Sequence, residues 1–261
     1  MKAPSGRPAP RITHVVRSED ISENMKRIVV SGDELLGWPE DKDGGNIKLL
    51  IPEPDWSQAE FRDRIDNGPR PIVRTYTARH YDGAKNELWI DFVIHEGGGP
   101  ASDWAALAAP GSMIGVAGPS GTKLTTTDAD WFLICADMSA MPAAEAALES
   151  LPASATGQIL FEVQSEDDKR EIYHPPGMQM NWLIHENQHS PSRQQMEFSQ
   201  SIEWPAGRVA AFVAGEAGVI REFRRWLLNE RAINKEDMYV SGYWKIGLIE
   251  DEHQAEKRAN K

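Results

Sequence analysis

Cysteine is nearly absent. Cys135 is the only one in 261 residues, which excludes an internal disulfide framework and any Cys-x-x-Cys redox pair. It sits in the apolar run Trp131-Phe132-Leu133-Ile134-Cys135-Ala136 and reads as a small buried residue. No stretch approaches eighteen apolar residues, so no transmembrane helix and no membrane partner are expected. The start, Met1 to Arg11, is proline-rich and polar and lacks the apolar core of a secretory signal, so residues 1–10 are expected to be flexible and the protein cytosolic. Positive charge is also short: 28 Lys and Arg face 40 Asp and Glu, a formal net charge of −12. The deficit is uneven, with 15 basic and 18 acidic groups in residues 1–127 against 13 and 22 in residues 128–261. That balance gives no nucleic-acid footprint. Gly-x-Ser-x-Gly, a Walker loop and Gly-x-Gly-x-x-Gly after a strand are all missing. With 40% hydrophobic and 26% charged residues, the composition is that of a globular protein long enough for two domains.

Against the acidic background, Arg62, Arg64, Arg70, Arg74 and Arg79 fall within eighteen residues, a local positive site suited to a dinucleotide or an acidic chelate. Arg74-Thr75-Tyr76-Thr77 lies inside this cluster, and it is followed by Asp91-Phe92-Val93-Ile94-His95 and Gly98-Gly99-Pro100-Ala101-Ser102-Asp103-Trp104. The set reads as a flavin cradle. On a strand, Arg74 and Tyr76 share a face, so a cation can meet a pyrophosphate while the ring stacks on an isoalloxazine. The Thr77 hydroxyl is placed to reach the ring edge, and Tyr76 and Thr77 are the expected catalytic positions. The Gly-Gly-Pro-Ala-Ser run opens a helix, whose first N–H groups suit a phosphate.

The first half reads as β, with segments Ile12–Arg17, Met25–Ser31, Asn46–Ile51, Ile72–Tyr81, Glu87–His95 and Ser112–Ala117 separated by Gly, Pro and Asp turns. Six short strands at this spacing predict a six-stranded antiparallel β-barrel over residues 11–124. Two loops look inserted, Trp38–Gly45 and Pro52–Pro71. The second half alternates strand and helix, predicting a parallel α/β sheet over residues 128–241 and a terminal arm over 242–261. Strands are expected at Trp131–Ala136, Gly157–Gln164, Ile172–His174, Arg208–Ala214 and Met238–Tyr243. Helices are expected at Met141–Leu151, Gln179–Glu186, Gly218–Arg231 and Glu250–Arg258, and Gln188–Gln200 reads as a mobile polar loop.

This arrangement resembles the ferredoxin-reductase-like flavoproteins, and four details narrow it to the siderophore-interacting proteins, or ferric-siderophore reductases. These are Arg74-x-Tyr76-Thr77-x-Arg79; His95 with Gly99-Pro100-Ala101-Ser102-x-Trp104-Ala105; Ala136-Asp137-Met138-Ser139-Ala140-Met141-Pro142-Ala143; and Gly242-Tyr243-Trp244-Lys245. Ala214-Gly215-Glu216-Ala217-Gly218 also matches. The resemblance implies a bacterial cytoplasmic FAD enzyme that takes hydride from NADH or NADPH and passes electrons to a ferric siderophore. It implies FAD binding by Arg74, Tyr76, Thr77, Asp91, Val93, His95, Gly99, Ala101, Ser102 and Trp104. It implies pyridine-nucleotide binding by Asp137, Met138, Ser139, Ala140, Gly215 and Glu216, and a chelate pocket of Lys48, Lys123, Lys245 and Trp244, with no protein-bound metal. The sequence departs from the family pattern at Gly118-Pro119-Ser120-Gly121, where members often carry an arginine, and at Lys245, where arginine is commoner. A monomer is expected. The acids Glu166-Asp167-Asp168 after the second α/β strand favour NADH, although Lys169 and Arg170 follow. The alternatives are a siderophore-binding flavoprotein without efficient turnover, or another flavin or ferredoxin-type reductase.

One motif points elsewhere. His185-Glu186-Asn187-Gln188-His189 is a literal His-Glu-x-x-His, which on a helix can bind zinc. Ser190-Pro191 follows directly and should end any helix there, so two histidines near a helix end are the expected reading.

Overall fold

The computed structural model describes residues 9–95, 98–121 and 126–248. The chain divides into two compact units, Met1–Thr122 and Lys123–Lys261. Most of the proline-rich start, Lys123 and the helix expected at Glu250–Arg258 lie outside the described residues.

The first unit is a seven-stranded sheet of β1 (Arg11–Ser22), β2 (Met25–Ser31), β3 (Asn46–Ile51), β4 (Ile72–Thr77), β5 (His80–Asp82), β6 (Glu87–Val93) and β7 (Met113–Ala117). Every pairing is antiparallel, in the order β4-β3-β7-β1-β2-β6-β5. The edge strands β4 and β5 are neighbours in sequence: Thr77 pairs with Asn46, and His80, three residues on, pairs with Trp89. Three residues span only ~10 Å, so the sheet must curl until its edges meet at Ala78–Arg79. This curled half-barrel is the expected barrel with one more strand, because the run expected as one strand from Ile72 to Tyr81 bends there. The interior is filled by Ile28, Val30, Ile47, Leu49, Leu88, Ile90, Phe92, Ile114 and Val116.

Among the described residues this unit carries two α-helices, α1 (Gln58–Asn67) and α2 (Pro100–Leu107). α2 is the helix expected from Gly-Gly-Pro-Ala-Ser. α1 falls in the segment read as an inserted loop. It is started by a capping box in which the Ser57 hydroxyl accepts from Glu60 N and the Glu60 carboxylate accepts from Ser57 N. Phe61 is the one buried side chain of the helix and packs with Ile12 and Leu50 on the outside of the sheet.

The second unit is a five-stranded parallel sheet of β8 (Trp131–Asp137), β9 (Thr156–Val163), β10 (Gly177–Ile184), β11 (Val209–Glu216) and β12 (Met238–Trp244), ordered β10-β9-β8-β11-β12. The helices are α3 (Met141–Glu149), α4 (Gln194–Ser201) and α5 (Ala217–Asn229). β8 and β11 are buried along nearly their whole length, as strands covered on both faces must be. On α5, Ile220, Phe223, Trp226 and Leu227 face the core while Arg221, Arg224 and Arg225 stay exposed, as the spacing predicts.

Three expectations fail here. Of residues Gln179–Glu186, expected as a helix, 179–184 lie in an edge strand, β10: Met178, Met180, Trp182 and Ile184 alternate with Gln179 and Asn181 at period two. Side-chain amides reinforce the edge, with Gln158 donating to Gln179 at 2.8 Å and Asn181 donating to Gln158 at 2.8 Å. Ile172–His174 is not a strand. The polar segment after Gln188 contains α4, whose buried residues include Gln195 and Ser199, so an apolar stripe could not announce it.

No helix among the described residues is long and apolar enough to cross a membrane. Where β9 meets β8, a Cβ on Gly157 would lie 1.9 Å from the Phe132 carbonyl oxygen, and its φ is +157°. Gly157→Ala is therefore expected to cost about 3 kcal/mol or more, as core overpacking against backbone does, measurable as a lowered urea midpoint.

Candidate functional site

In the first unit, β4 presents Arg74 and Tyr76 on the interior face, opposite Leu49 and Ile47. The Tyr76 ring packs 4.5 Å from Phe92, and Phe92 lies 5.8 Å from Trp104 on α2. One half-buried aromatic ledge thus joins the Arg-x-Tyr-Thr strand to the helix that follows β6. α2 begins on Gly99 and Pro100 with no side-chain cap among the described residues, and its first N–H groups suit an added acceptor. Gly98 approaches this turn so closely that a Cβ would lie 2.8 Å from the Ser102 side chain. Ala101 and Ser102 are buried, and His95 and Gly99 are exposed. A ring, a cation on the same strand face and an uncapped helix start fit an isoalloxazine joined to a pyrophosphate.

The other face of the wall carries a different set. Thr75 lies across from Lys48, whose ammonium donates to the Thr75 hydroxyl, and Thr77 pairs across from Asn46. Lys48 is exposed and stands on the strand face that carries Thr77. Ser120 is locked to the same strand: its N–H donates to Asn46 O at 2.8 Å and its hydroxyl accepts from Asn46 N at 3.0 Å.

Thr77, expected at the ring edge, thus stands on the face away from Tyr76, and two expected flavin residues of β6 do not join the ledge either. Asp91 and Val93 alternate with Phe92 and so point to the opposite face of β6. Both oxygens of Asp91 accept from Arg27 at 2.7 Å, and Arg27 also stacks 4.9 Å above Trp89. The Asp91 carboxylate is fully enclosed by this pair.

In the second unit the strand order reverses between β8 and β11, and a parallel sheet opens a crevice at the carboxyl ends of strands at such a point. Asp137 ends β8 and Gly215-Glu216 end β11 beside it. Asp137 Oδ1 accepts from Ser139 N at 3.0 Å, Ala140 N at 3.3 Å and the Ser139 hydroxyl; Oδ2 accepts from the Trp244 indole N–H at 2.7 Å. Gly215 makes room: with φ +152°, its Cβ would fall 2.5 Å from Asp137 Oδ2. Glu216 caps α5, its Oε2 accepting from Gly218 N at 2.6 Å and Val219 N at 2.9 Å. The sequence motifs 137–140, 215–216 and 244–245 therefore converge on one edge, although the side chains of Asp137 and Glu216 are spent on the protein itself.

Glu162, at the end of β9, belongs to the same cleft and was not singled out in the sequence. A small cavity of about 20 Å³ at this edge is lined by Asp137, Glu162, His185, Ser192, Gln195, Glu216 and Trp244, among others. Burial raises the Glu162 carboxyl above its ordinary range, opposed by the hydrogen bond from Ser192, and the Asp137 carboxyl is likewise raised by burial. Gln195 seals the floor by donating to the carbonyls of Ala136 at 2.9 Å and Leu160 at 3.1 Å. Only the alternation in Phe161-Glu162-Val163 could have flagged Glu162, as an acid interrupting a buried strand.

His-Glu-x-x-His follows the edge strand β10 instead of lying on a helix, and His185 Nε2 is bonded at 2.9 Å to the Ser190 carbonyl. Among the described residues no three His, Cys, Asp or Glu side chains are grouped to hold a metal.

A curled antiparallel sheet followed by a five-stranded parallel sheet is the ferredoxin-reductase-like fold. It matches the ferredoxin–NADP+ reductase of Plasmodium falciparum with a TM-score of 0.61 at 14% identity, over 90% of this chain and 96% of that one. Within that class, residues 14–123 match the siderophore-interacting FAD-binding domain and residues 129–247 the siderophore-interacting protein model. The chain belongs to the siderophore-interacting protein family. It is 36% identical to the ferric vibriobactin reductase ViuB of Vibrio cholerae over 258 residues, covering 95% of this chain and 94% of that protein. It is 34% identical to the NADPH-dependent ferric-chelate reductase of Escherichia coli, covering 88% and 91%. The siderophore-interacting protein SipS of Aeromonas hydrophila superposes with a TM-score of 0.82 at 27% identity, covering 97% and 98%. The preference for NADH expected from the acids after β9 finds no support among these relatives, and Lys169 and Arg170 are paired with Glu166 and Glu145.

Because the Glu162 carboxyl is raised by burial, its favourable contribution to folding is present at low pH and is lost as pH rises through the folded value. Glu162→Gln keeps the acceptor for Ser192 and removes the buried charge. It is expected to melt above the wild type at pH 8, with the difference shrinking as pH falls toward the ordinary value of 4.5.

Proposed function

We propose that the protein reduces a ferric siderophore, using FAD and NAD(P)H, so that the iron is released as Fe²⁺. The observation that carries this reading is the pair of sites on one family-matched chain: an aromatic ledge beside an uncapped helix start in the first unit, and a crevice at the strand-order reversal in the second. Bound FAD would supply the conversion of a two-electron hydride donor into single electrons for Fe³⁺.

The protein residues have separable tasks. Tyr76 gives the isoalloxazine an apolar face, backed by Phe92 and Trp104 so that it is fixed before the ring arrives. Arg74, on the same strand face, answers the pyrophosphate together with the N–H groups at the start of α2. Thr77 is buried on the opposite strand face from Tyr76, the face that carries Lys48. The backbone at Met138–Ala140 and at Gly215 borders the nucleotide crevice. Lys48 and Lys245 are the cations assigned to the chelate. No protein ligand to iron is required, because the siderophore carries the metal, and its oxygen donors hold Fe³⁺ far more strongly than Fe²⁺.

Relatives named for ferric vibriobactin and ferric-chelate reduction support the substrate class. The purified protein is expected to show flavin bands near ~375 and ~450 nm that bleach with NAD(P)H and return on anaerobic addition of a ferric chelate. Tyr76→Ala should weaken FAD binding about tenfold, the size of a lost ring stack. A protein that stays colourless in added FAD, or flavin bands that NAD(P)H bleaches but the chelate does not restore, would overturn the reading.

A further inference from the structure

β12 carries a bulge. Gly215 pairs with Gly242, but the next residue, Glu216, pairs with Trp244, so Tyr243 is the extra residue. A bulge re-aims the side chain that follows it, and here the Trp244 indole reaches Asp137 at 2.7 Å. Beyond Trp244 the chain is held again: Ile246 N donates to Glu216 Oε1 at 3.3 Å, while Oε2 of the same carboxylate caps α5. Lys245 therefore stands between two neighbours, each anchored by a carboxylate at the strand-order reversal.

We propose that Asp137 and Glu216 are positioning residues for Trp244 and Lys245, so that they act on the ferric chelate and are not ligands of the pyridine nucleotide. The proposal rests on the assignment of Lys245 to the chelate. All four contacts of the Asp137 carboxylate are internal, and Glu216 divides its two oxygens between the helix start and the arm. A nucleotide bonding Asp137 would have to displace a protein partner, and Glu216 already accepts three bonds from the protein. Chelate recognition needs a cation fixed in place, because a lysine ammonium on a flexible stem loses entropy when it is ordered.

Two substitutions break one oxygen's role and leave the other intact. In Asp137→Asn the amide oxygen can still accept from the 139–140 turn, while the NH₂ group opposes the Trp244 N–H. In Glu216→Gln the oxygen can still cap α5, while the NH₂ group opposes Ile246 N. Trp244→Phe removes the same indole bond from the other side.

The test uses the full chain loaded with FAD. Binding of ferric tris(2,3-dihydroxybenzoate) is read by equilibrium dialysis, and nucleotide use by the rate at which NAD(P)H bleaches the flavin. Asp137→Asn and Glu216→Gln are expected to weaken chelate binding about five- to tenfold, the size of one ordinary hydrogen bond lost. Lys245→Ala sets the limit, and bleaching by NAD(P)H should stay within about twofold of wild type. The double variant Asp137→Asn/Trp244→Phe should bind no worse than Trp244→Phe alone, since Asp137→Asn removes only the bond that Trp244→Phe has already removed. Slower bleaching with unchanged chelate binding would make Asp137 a nucleotide ligand and overturn the proposal. Additive losses in the double variant would overturn it too. If the wild type itself fails to bind the chelate, the reductase reading falls, which is distinct from a loss confined to the variants.

Discussion

A carboxylate placed at the end of a buried strand must have its lone pairs answered, or it costs more than the fold can spare. Asp137 is in that position, and the end of the second unit is arranged around it. The turn from β8 into α3 folds back to donate two N–H groups and a hydroxyl. Residue 215 must be glycine to leave space for Oδ2. β12 must bulge to bring Trp244 within reach. Burial still holds the carboxyl above its ordinary range, so these bonds offset the desolvation without abolishing it. Three motifs far apart in sequence, at 137–140, 214–218 and 242–245, thus satisfy one constraint.

The first unit solves a different problem. A sheet with two edges exposes unpaired backbone, and curling until β4 and β5 become chain neighbours shortens that liability. The bend at Ala78–Arg79 brings the interior aromatics of β4 and β6 into contact, so Tyr76 rests on Phe92. The ledge is a by-product of closure. The outer residues of β6 do structural work: Asp91 with Arg27 of β2 and Glu87 with Arg17 of β1 flank Trp89.

Much of this was legible in the sequence. Period-two and unbroken apolar runs located most strands, Pro after Gly-Gly located α2, and the 3.6-residue spacing of Ile220, Phe223 and Leu227 located α5. The misses share a cause. In α1, β10 and α4 the buried face is narrow or polar: one phenylalanine, a methionine alternation, and a buried glutamine and serine. The capping box of α1 and the alternation of β10 were nevertheless present in the residues. What sequence could not supply was direction. Asp91 sits in the expected motif but on the outer face, and Asp137 and Glu216 sit at the crevice of the strand-order reversal with their oxygens bonded to the protein itself. A motif fixes which residues come together. The hydrogen bonds fix which of them remain available to a ligand.

The same distinction bears on the chelate. A protein of net charge −12 repels an anionic iron complex at a distance, so attraction must be local. The Ser120 hydroxyl is turned back onto Asn46, accepting from its N–H. Lys48 keeps a neutral hydroxyl for a neighbour, that of Thr75. On the proposed reading, this face offers the chelate the Lys48 ammonium beside the hydroxyls of Thr75 and Ser120. A lysine in that setting gives a point charge without the planar fork of an arginine, so its value depends on where the backbone holds it. The second unit meets that requirement with its two carboxylates, one at Trp244 and one at Ile246, on either side of Lys245.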